Sequence, residues 1–416
     1  MVHVVFTIPF AMENTLRFAR AVAALPGVRL SVVAQDAAEK FPSDFRDQLA
    51  GFEQVDDALR AADVVRAVQA LGKRVAPAER LLGILEPLQE PLAQVREQLR
   101  IRGMDAPTAR NFRDKAQMKD LFAQHDLACA RHRLCATPGE ALAFARETGY
   151  PIVGKPPAGA GAKATARCAD EAELQRFLAA ARPTRGREVL LEEFVQGQEY
   201  SFDSVTLHGR HVVHNICCYA PTPLQVMENP WIQWAVVAPR DLGGAEFAAI
   251  HRVGPRALSV LGMWTGMSHM EWFRRPDGSI AIGEVAARPP GAQFMTLFSY
   301  AVDSDMYAAF ARLMVFETFT PVERRYAAGA AYLRGQLASG KAVGTEATAT
   351  VRAVHGLEEM RQALGDLVVE MRLPKVGQPA SGSYEGEGYV IVRHPDTELV
   401  TAAVQKVVRT LRVELG

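Results

Sequence analysis

The 416-residue chain carries 47 basic and 47 acidic side chains, with 49% hydrophobic and 23% charged residues. That balance fits a multi-domain soluble α/β enzyme and excludes a disordered or fibrous chain and a basic nucleic-acid binder. No apolar run approaches the ~18 residues needed to cross a bilayer. The opening MVHVVFTIPFAMEN reads as a strand rather than a signal peptide, so a cytoplasmic location and no membrane partner are expected. The five cysteines, two of them adjacent (Cys217 and Cys218), form neither a disulfide framework nor a CxxC metal site.

In chain order, His3 to Ile8 is an apolar strand, Asn14 is placed to cap a helix, and Val28 to Ala34 is a second strand. Strand–helix–strand order predicts a parallel α/β layer, and the absence of a glycine fingerprint after the first strand argues against a dinucleotide site there. GMDAPTAR (103–110) reads as a loop and a first boundary. Asp114 caps a helix bearing Met118, Leu121 and Phe122, and Thr137 with Glu140 forms a capping box before a helix ending at Gly149. Tyr150 to Lys155 is a short strand, followed by the glycine-containing loop PPAGAGAK, a strand over 164–168, a helix opened by Asp170 and Glu173, and a strand over 188–194. After Gly197 the pattern turns antiparallel. One hairpin joins 198–207 to 211–219 through His208-Gly209-Arg210, and a second joins 268–273 to 279–285. The last ~90 residues carry a Gly/Pro/Ser-rich loop over 376–388 and a closing amphipathic helix capped near Asp396, with Val400, Ala403, Val404, Val407 and Leu411 inward.

The second hairpin carries the sharpest chemistry. With its turn centred between Asp277 and Gly278, Glu271 and Glu284 lie directly opposite on one face, and two such carboxylates call for a divalent cation between them. Strand alternation aims Arg288 into the same space, where a guanidinium suits a transferring phosphoryl group. Lys155 at a strand end before Gly159 and Gly161 suits a polyphosphate, and Lys115 opens a capped helix. Glu192-Glu193-Phe194-Val195 and Glu199 offer a strand edge for an adenine and a carboxylate for ribose hydroxyls.

The order of these residues resembles the ATP-grasp superfamily, in particular carboxylate–amine ligases such as L-amino acid ligases and carnosine synthase-like enzymes, and also biotin carboxylase. The resemblance covers roughly residues 1 to 320. It implies an α/β and α+β multi-domain ATP-grasp fold: a pre-ATP-grasp α/β domain (1–110), a lid subdomain (111–195), an antiparallel-sheet subdomain with the metal site (196–320) and a C-terminal α+β module (321–416). It implies that Lys115 and Lys155 contact phosphates, that a loop including Gly159, Gly161 and Lys163 covers them, and that Glu192, Glu193 and Val195 form the adenine hinge, mainly through the backbone. Glu199 resembles the ribose acceptor, Glu271 and Glu284 the metal ligands, and Arg288 the catalytic arginine.

The implied activity is an ATP- and Mg²⁺-dependent ligase joining a small carboxylic acid to an amine, both amino acids or their derivatives, through an acyl phosphate. The alternatives are a biotin carboxylase-like or ribonucleotide carboxylase-like enzyme and a nucleotide-binding regulatory protein without turnover. A homodimer is the common assembly for such enzymes. Two positions depart from the pattern. Ala286 replaces the usual asparagine ligand, a place for water to fill or, second to it, the His269 opposite, whose imidazole would favour Mn²⁺; the loop has Ala162 and Ala164 where serine and glycine are common. Glu228 and His214 are the candidate acceptors of the amine proton, and Trp231 and Trp234 the candidate lining of an apolar substrate pocket.

Overall fold

The structure is a computed structural model that describes residues 1–159, 164–229, 231–337 and 349–416. The first layer is a four-stranded parallel sheet in the order Gly51–Gln54, Val28–Ala34, Val2–Thr7, Arg80–Leu82. Its two central strands are buried on both faces, as in parallel sheets generally. Helix Glu13–Ala23 packs on one face with helix Met306–Phe316, Phe18 meeting Phe310 edge to face, and helix Ala61–Arg74 covers the other. Met12, with extended backbone, occupies the position before the first helix, so Asn14 lies inside its first turn and does not cap it. The 103–110 stretch is also not all loop: Asp105 caps a helix Ala106–Arg113, with Pro107 in the first turn where its missing N–H costs nothing.

A small antiparallel sheet follows, ordered His132–Cys135, Val189–Glu193, Ile152–Lys155, Ala166–Cys168. Helices Pro138–Thr148 and Glu171–Ala181 cover one face, burying Ile152, Val189 and Leu191. The alternate residues Val153, Lys155 and Glu192 consequently turn to the opposite side.

The third layer is an eight-stranded antiparallel sheet. It runs Ile280–Ala286, Gly266–Arg274, Gln198–Leu207, Arg210–Ala220, Trp234–Ala238, Ala327–Leu333, Gly388–His394, Val368–Arg372. Helices Lys115–Gln124 and Ala248–Leu261 pack beneath one end of it on Met270, Trp272, Ile280 and Ile282. Helix Thr397–Thr410 lies on the other end, where Val400 and Val404 meet the 327–333 and 388–394 strands. Among the described residues no helix is long and apolar enough to cross a membrane.

The hairpin bearing the two glutamates is built differently from the simple turn expected. Gly278, at φ +83°, takes the left-handed corner, and Arg275 and Ser279 close the turn, so the nearest pairs are Arg274–Ile280 and Trp272–Ile282. That register would carry Glu284 to the core face. A bulge then shifts the pairing by one residue between Glu271 and Trp272, which restores Glu271 opposite Glu284 and His269 opposite Ala286. Gly283 is the extra residue. A Cβ there would come within 3.1 Å of both the Glu271 carbonyl oxygen and the Phe273 ring.

Candidate active site

A cleft of about 420 Å³ opens between the small sheet and the eight-stranded sheet. Lys115, Lys155, Gly159, Glu192, Glu193, Val195, Glu199, Glu228, His269, Glu271, Glu284 and Arg288 all line it, brought from six separate stretches. Gly161 and Lys163 lie outside the described residues, as does Ala162.

Its charges are paired across segments. Lys115, capped into its helix by Asp114, places Nζ 3.1 Å from Glu284 Oε2 and donates to the Gly159 carbonyl at 2.9 Å. Lys155 Nζ lies 2.9 Å from Glu192 Oε1. Burial works against the charge on Lys155, but Glu192, Glu284 and Glu271 outweigh it and hold its pKa above the usual lysine value. Burial likewise favours a neutral Glu284, yet Lys115 and Lys155 draw it down to about 2. For Glu199 the compensation falls short: burial, with the nearby charges of Glu271 and Glu284, outweighs Lys155 and His269 and pushes it well above the usual carboxylate range.

Expected hinge residue Glu192 does more than present its backbone, since its carboxylate turns inward to the lysines. Glu193 faces outward instead, bound to Arg131 at 2.6 Å, and Phe194 beside it carries the Arg167 guanidinium over its ring.

Arg288 is held from behind by a residue with no motif of its own. Its Nε donates to Glu86 Oε2 at 2.6 Å, and Arg113 approaches the other Glu86 oxygen at 3.5 Å. Burial opposes the Arg288 charge and Glu86 more than restores it. His269 is fixed by Asp203, with Nδ1 2.6 Å from the carboxylate, while Nε2 stands 3.8 Å from Glu271. Burial lowers its affinity for a proton, but Asp203 and Glu271 raise the pKa to about 9. Its Nε2 is the ring nitrogen turned toward Glu271 and the carboxylate pair.

The far end of the cleft is aromatic: Tyr219, Trp234, Phe294 and Tyr384, with Trp234 4.8 Å from Tyr384 and 5.9 Å from Phe294 between ring centres. Tyr384 comes from the 376–388 loop, which no motif marked. Trp231 does not join them; it is 55% exposed. His214 is also elsewhere. It lies on the opposite face of the sheet, stacked on Phe202 below helix Ala248–Leu261. Burial, reinforced by His211, His251 and Arg324, takes its pKa down to about 3, so it is no acceptor for a proton in the cleft.

Among the described residues no three His, Cys, Asp or Glu side chains alone could hold a metal ion. Two facing carboxylates nevertheless suit Mg²⁺, which commonly takes one or two protein carboxylates and completes its shell with phosphate oxygens and water.

Residues 120–302 match the model of the ATP-grasp domain. That matched stretch holds the whole small sheet and five of the eight strands of the large one, so it supplies most of the frame of the cleft. Among curated proteins it is similar to the carbamoyl phosphate synthase large chain of Beutenbergia cavernae, 29% identical over 181 residues, 42% of this chain and 16% of that one. The chain thus aligns with about a sixth of that relative's length. Among solved structures it is similar to the L-amino acid ligase from Bacillus licheniformis, with a TM-score of 0.79 and 18% identity over 99% of this chain and 98% of that one. It is also similar to the biotin carboxylase domain of the 2-oxoglutarate carboxylase from Hydrogenobacter thermophilus, a dimer solved with MgADP and bicarbonate. There the TM-score is 0.72 with 17% identity, over 99% of this chain and 90% of that domain. The two solved structures share the fold of this chain.

Proposed function

We propose that the chain is an ATP-dependent carboxylate–amine ligase, forming an amide through an acyl phosphate and releasing ADP and phosphate. The observation that carries this reading is the pair Glu271 and Glu284, facing each other on the cleft floor beside Lys115, Lys155 and Arg288. Bound Mg²⁺ would be held by those two carboxylates and would supply charge neutralisation at the phosphates. Lys115 and Lys155 bind the phosphate chain, and Glu192, Glu193 and Val195 flank the adenine. The acid's carboxylate attacks the terminal phosphorus as the bond to ADP breaks, and Arg288, anchored by Glu86, neutralises the reacting oxygens. The amine then attacks the acyl carbon, phosphate leaves, and Glu228 at the cleft wall accepts the amine proton.

The aromatic end of the cleft favours an acid with an apolar side chain, because Tyr219, Trp234, Phe294 and Tyr384 offer it ring faces and little charge. The test is phosphate release from ATP and Mg²⁺ with pooled amino acids, followed by mass spectrometry of the products. Amine-dependent turnover with a condensed product is expected. ATP hydrolysis that follows bicarbonate and ignores the amine would replace the ligase with a carboxylase. Nucleotide binding without turnover on any pool would leave a regulatory protein.

A further inference from the structure

Lys119 is a lysine the mechanism leaves unused. It stands one helical turn after Lys115, so both side chains project from the same face of helix Lys115–Gln124. Lys115 reaches the cleft, whereas Lys119 is wholly buried behind it, at 0% exposure. A buried ammonium is tolerated only where it is paired and hydrogen-bonded. Lys119 Nζ donates to the Gly283 carbonyl at 2.8 Å and lies 3.4 Å from Glu192 Oε1. Gly283 is the bulge residue that turns Glu284 toward Glu271. Glu192 Oε1 is also the oxygen that Lys155 approaches at 2.9 Å. One carboxylate oxygen therefore holds two cations, one facing the cleft and one locked behind it.

We propose that Lys119 is a positioning residue, the permanent counter-ion of Glu192, which frees Lys155 to move onto the phosphates when nucleotide enters. The inference rests on the ATP-binding reading. Without Lys119, Lys155 must remain with Glu192 or abandon a buried carboxylate, and either choice weakens nucleotide binding. With Glu192 neutralised, Lys119 is no longer needed for that purpose. A lysine acting only as a packing and bulge-holding group would be missed equally with or without the Glu192 charge.

The experiment is calorimetric titration of MgATP into wild type, Lys119→Met, Glu192→Gln and the double variant, with thermal melts of each protein alone. Lys119→Met is expected to weaken MgATP binding about tenfold or more, because one partner of a buried charge has been removed. The double variant is expected to bind within about threefold of Glu192→Gln, the scale on which coupled sites depart from additivity. A double variant about tenfold weaker than Glu192→Gln overturns the proposal. If Lys119→Met does not fold, the comparison of Glu192→Gln with the double variant decides the question alone. If the double variant does not fold either, the counter-ion role is refuted in favour of a structural one. Wild-type protein that bound no MgATP would remove the nucleotide reading and this inference with it, whereas wild-type binding with an unrescued double variant removes this inference only.

Discussion

On the hairpin of strands Gln198–Leu207 and Arg210–Ala220, Glu199 and Asp203 turn toward the cleft, while His211 and His214 turn beneath helix Ala248–Leu261. On the cleft face partners keep His269 and Glu284 charged, Asp203 for the one and lysines for the other. The opposite face keeps its groups neutral through burial, with His211 Nε2 and His214 Nδ1 3.0 Å apart and both rings stacked on Phe202. A bulge serves each face. The one at Gly283 brings Glu284 round to Glu271, and the one between His211 and Val213 lets residues three apart share a side. In this sheet a buried ionisable side chain keeps its charge where a compensating charge outweighs burial and loses it where none does.

The largest test of that contrast is Glu284→Gln. It should lower ATP-dependent turnover by about 10²–10³-fold, the usual cost of a lost charge-stabilising group. Turnover close to that of the parent protein would remove Glu284 from the site.

Next is Gly283→Val, which places a Cβ against the Glu271 carbonyl and Phe273, each at 3.1 Å. Overpacking of this kind costs about 1–3 kcal/mol, to be read from the urea midpoint at constant slope. Loss of MgATP binding should accompany it.

The histidine face gives a pH signature of the opposite sign from the usual carboxylate case in its origin, though not in its direction. Burial, with His251 nearby, lowers His211 to about 4, and burial with His211, His251 and Arg324 lowers His214 to about 3. The unfolded chain therefore takes up protons below pH ~6.5 that the folded chain refuses, so stability is full above that pH and falls as the pH drops toward 4. A loss on the order of 5 kcal/mol from the two histidines together between pH 6.5 and 4 is expected, and His214→Phe should flatten the slope measured by urea denaturation at each pH.

The smallest effect belongs to Trp231→Ala. At 55% exposure and away from the aromatic end of the cleft, Trp231 should change stability by under about 0.5 kcal/mol and leave the acid's KM alone.

Local signals in the sequence are the ones that carried furthest. The Asp114 cap, the Thr137–Glu140 box and the strand Val28–Ala34 depend on neighbours in the chain, and the structure has each of them. The facing of Glu271 and Glu284 was legible for an incomplete reason: the turn is one residue out from the expected centre, and the bulge at Gly283 cancels the offset. Alternation alone would have separated His211 from His214, and only the fold brings His251 to them. Glu86, Lys119 and Tyr384 were invisible because each acts on a partner far along the chain, Glu86 on Arg288 across 202 positions. Nothing local distinguishes such residues from ordinary helix or loop side chains.

The strand Ala327–Leu333 lies between Trp234–Ala238 and Gly388–His394 and hydrogen-bonds to both. A fragment trimmed to the 120–302 match would strip that neighbour from Trp234 and bare an alanine- and valine-rich edge, a template for aggregation. Expression of the minimal nucleotide-binding portion should therefore begin from boundaries that retain the last hundred or so residues, whose contribution to solubility precedes any they make to substrate choice.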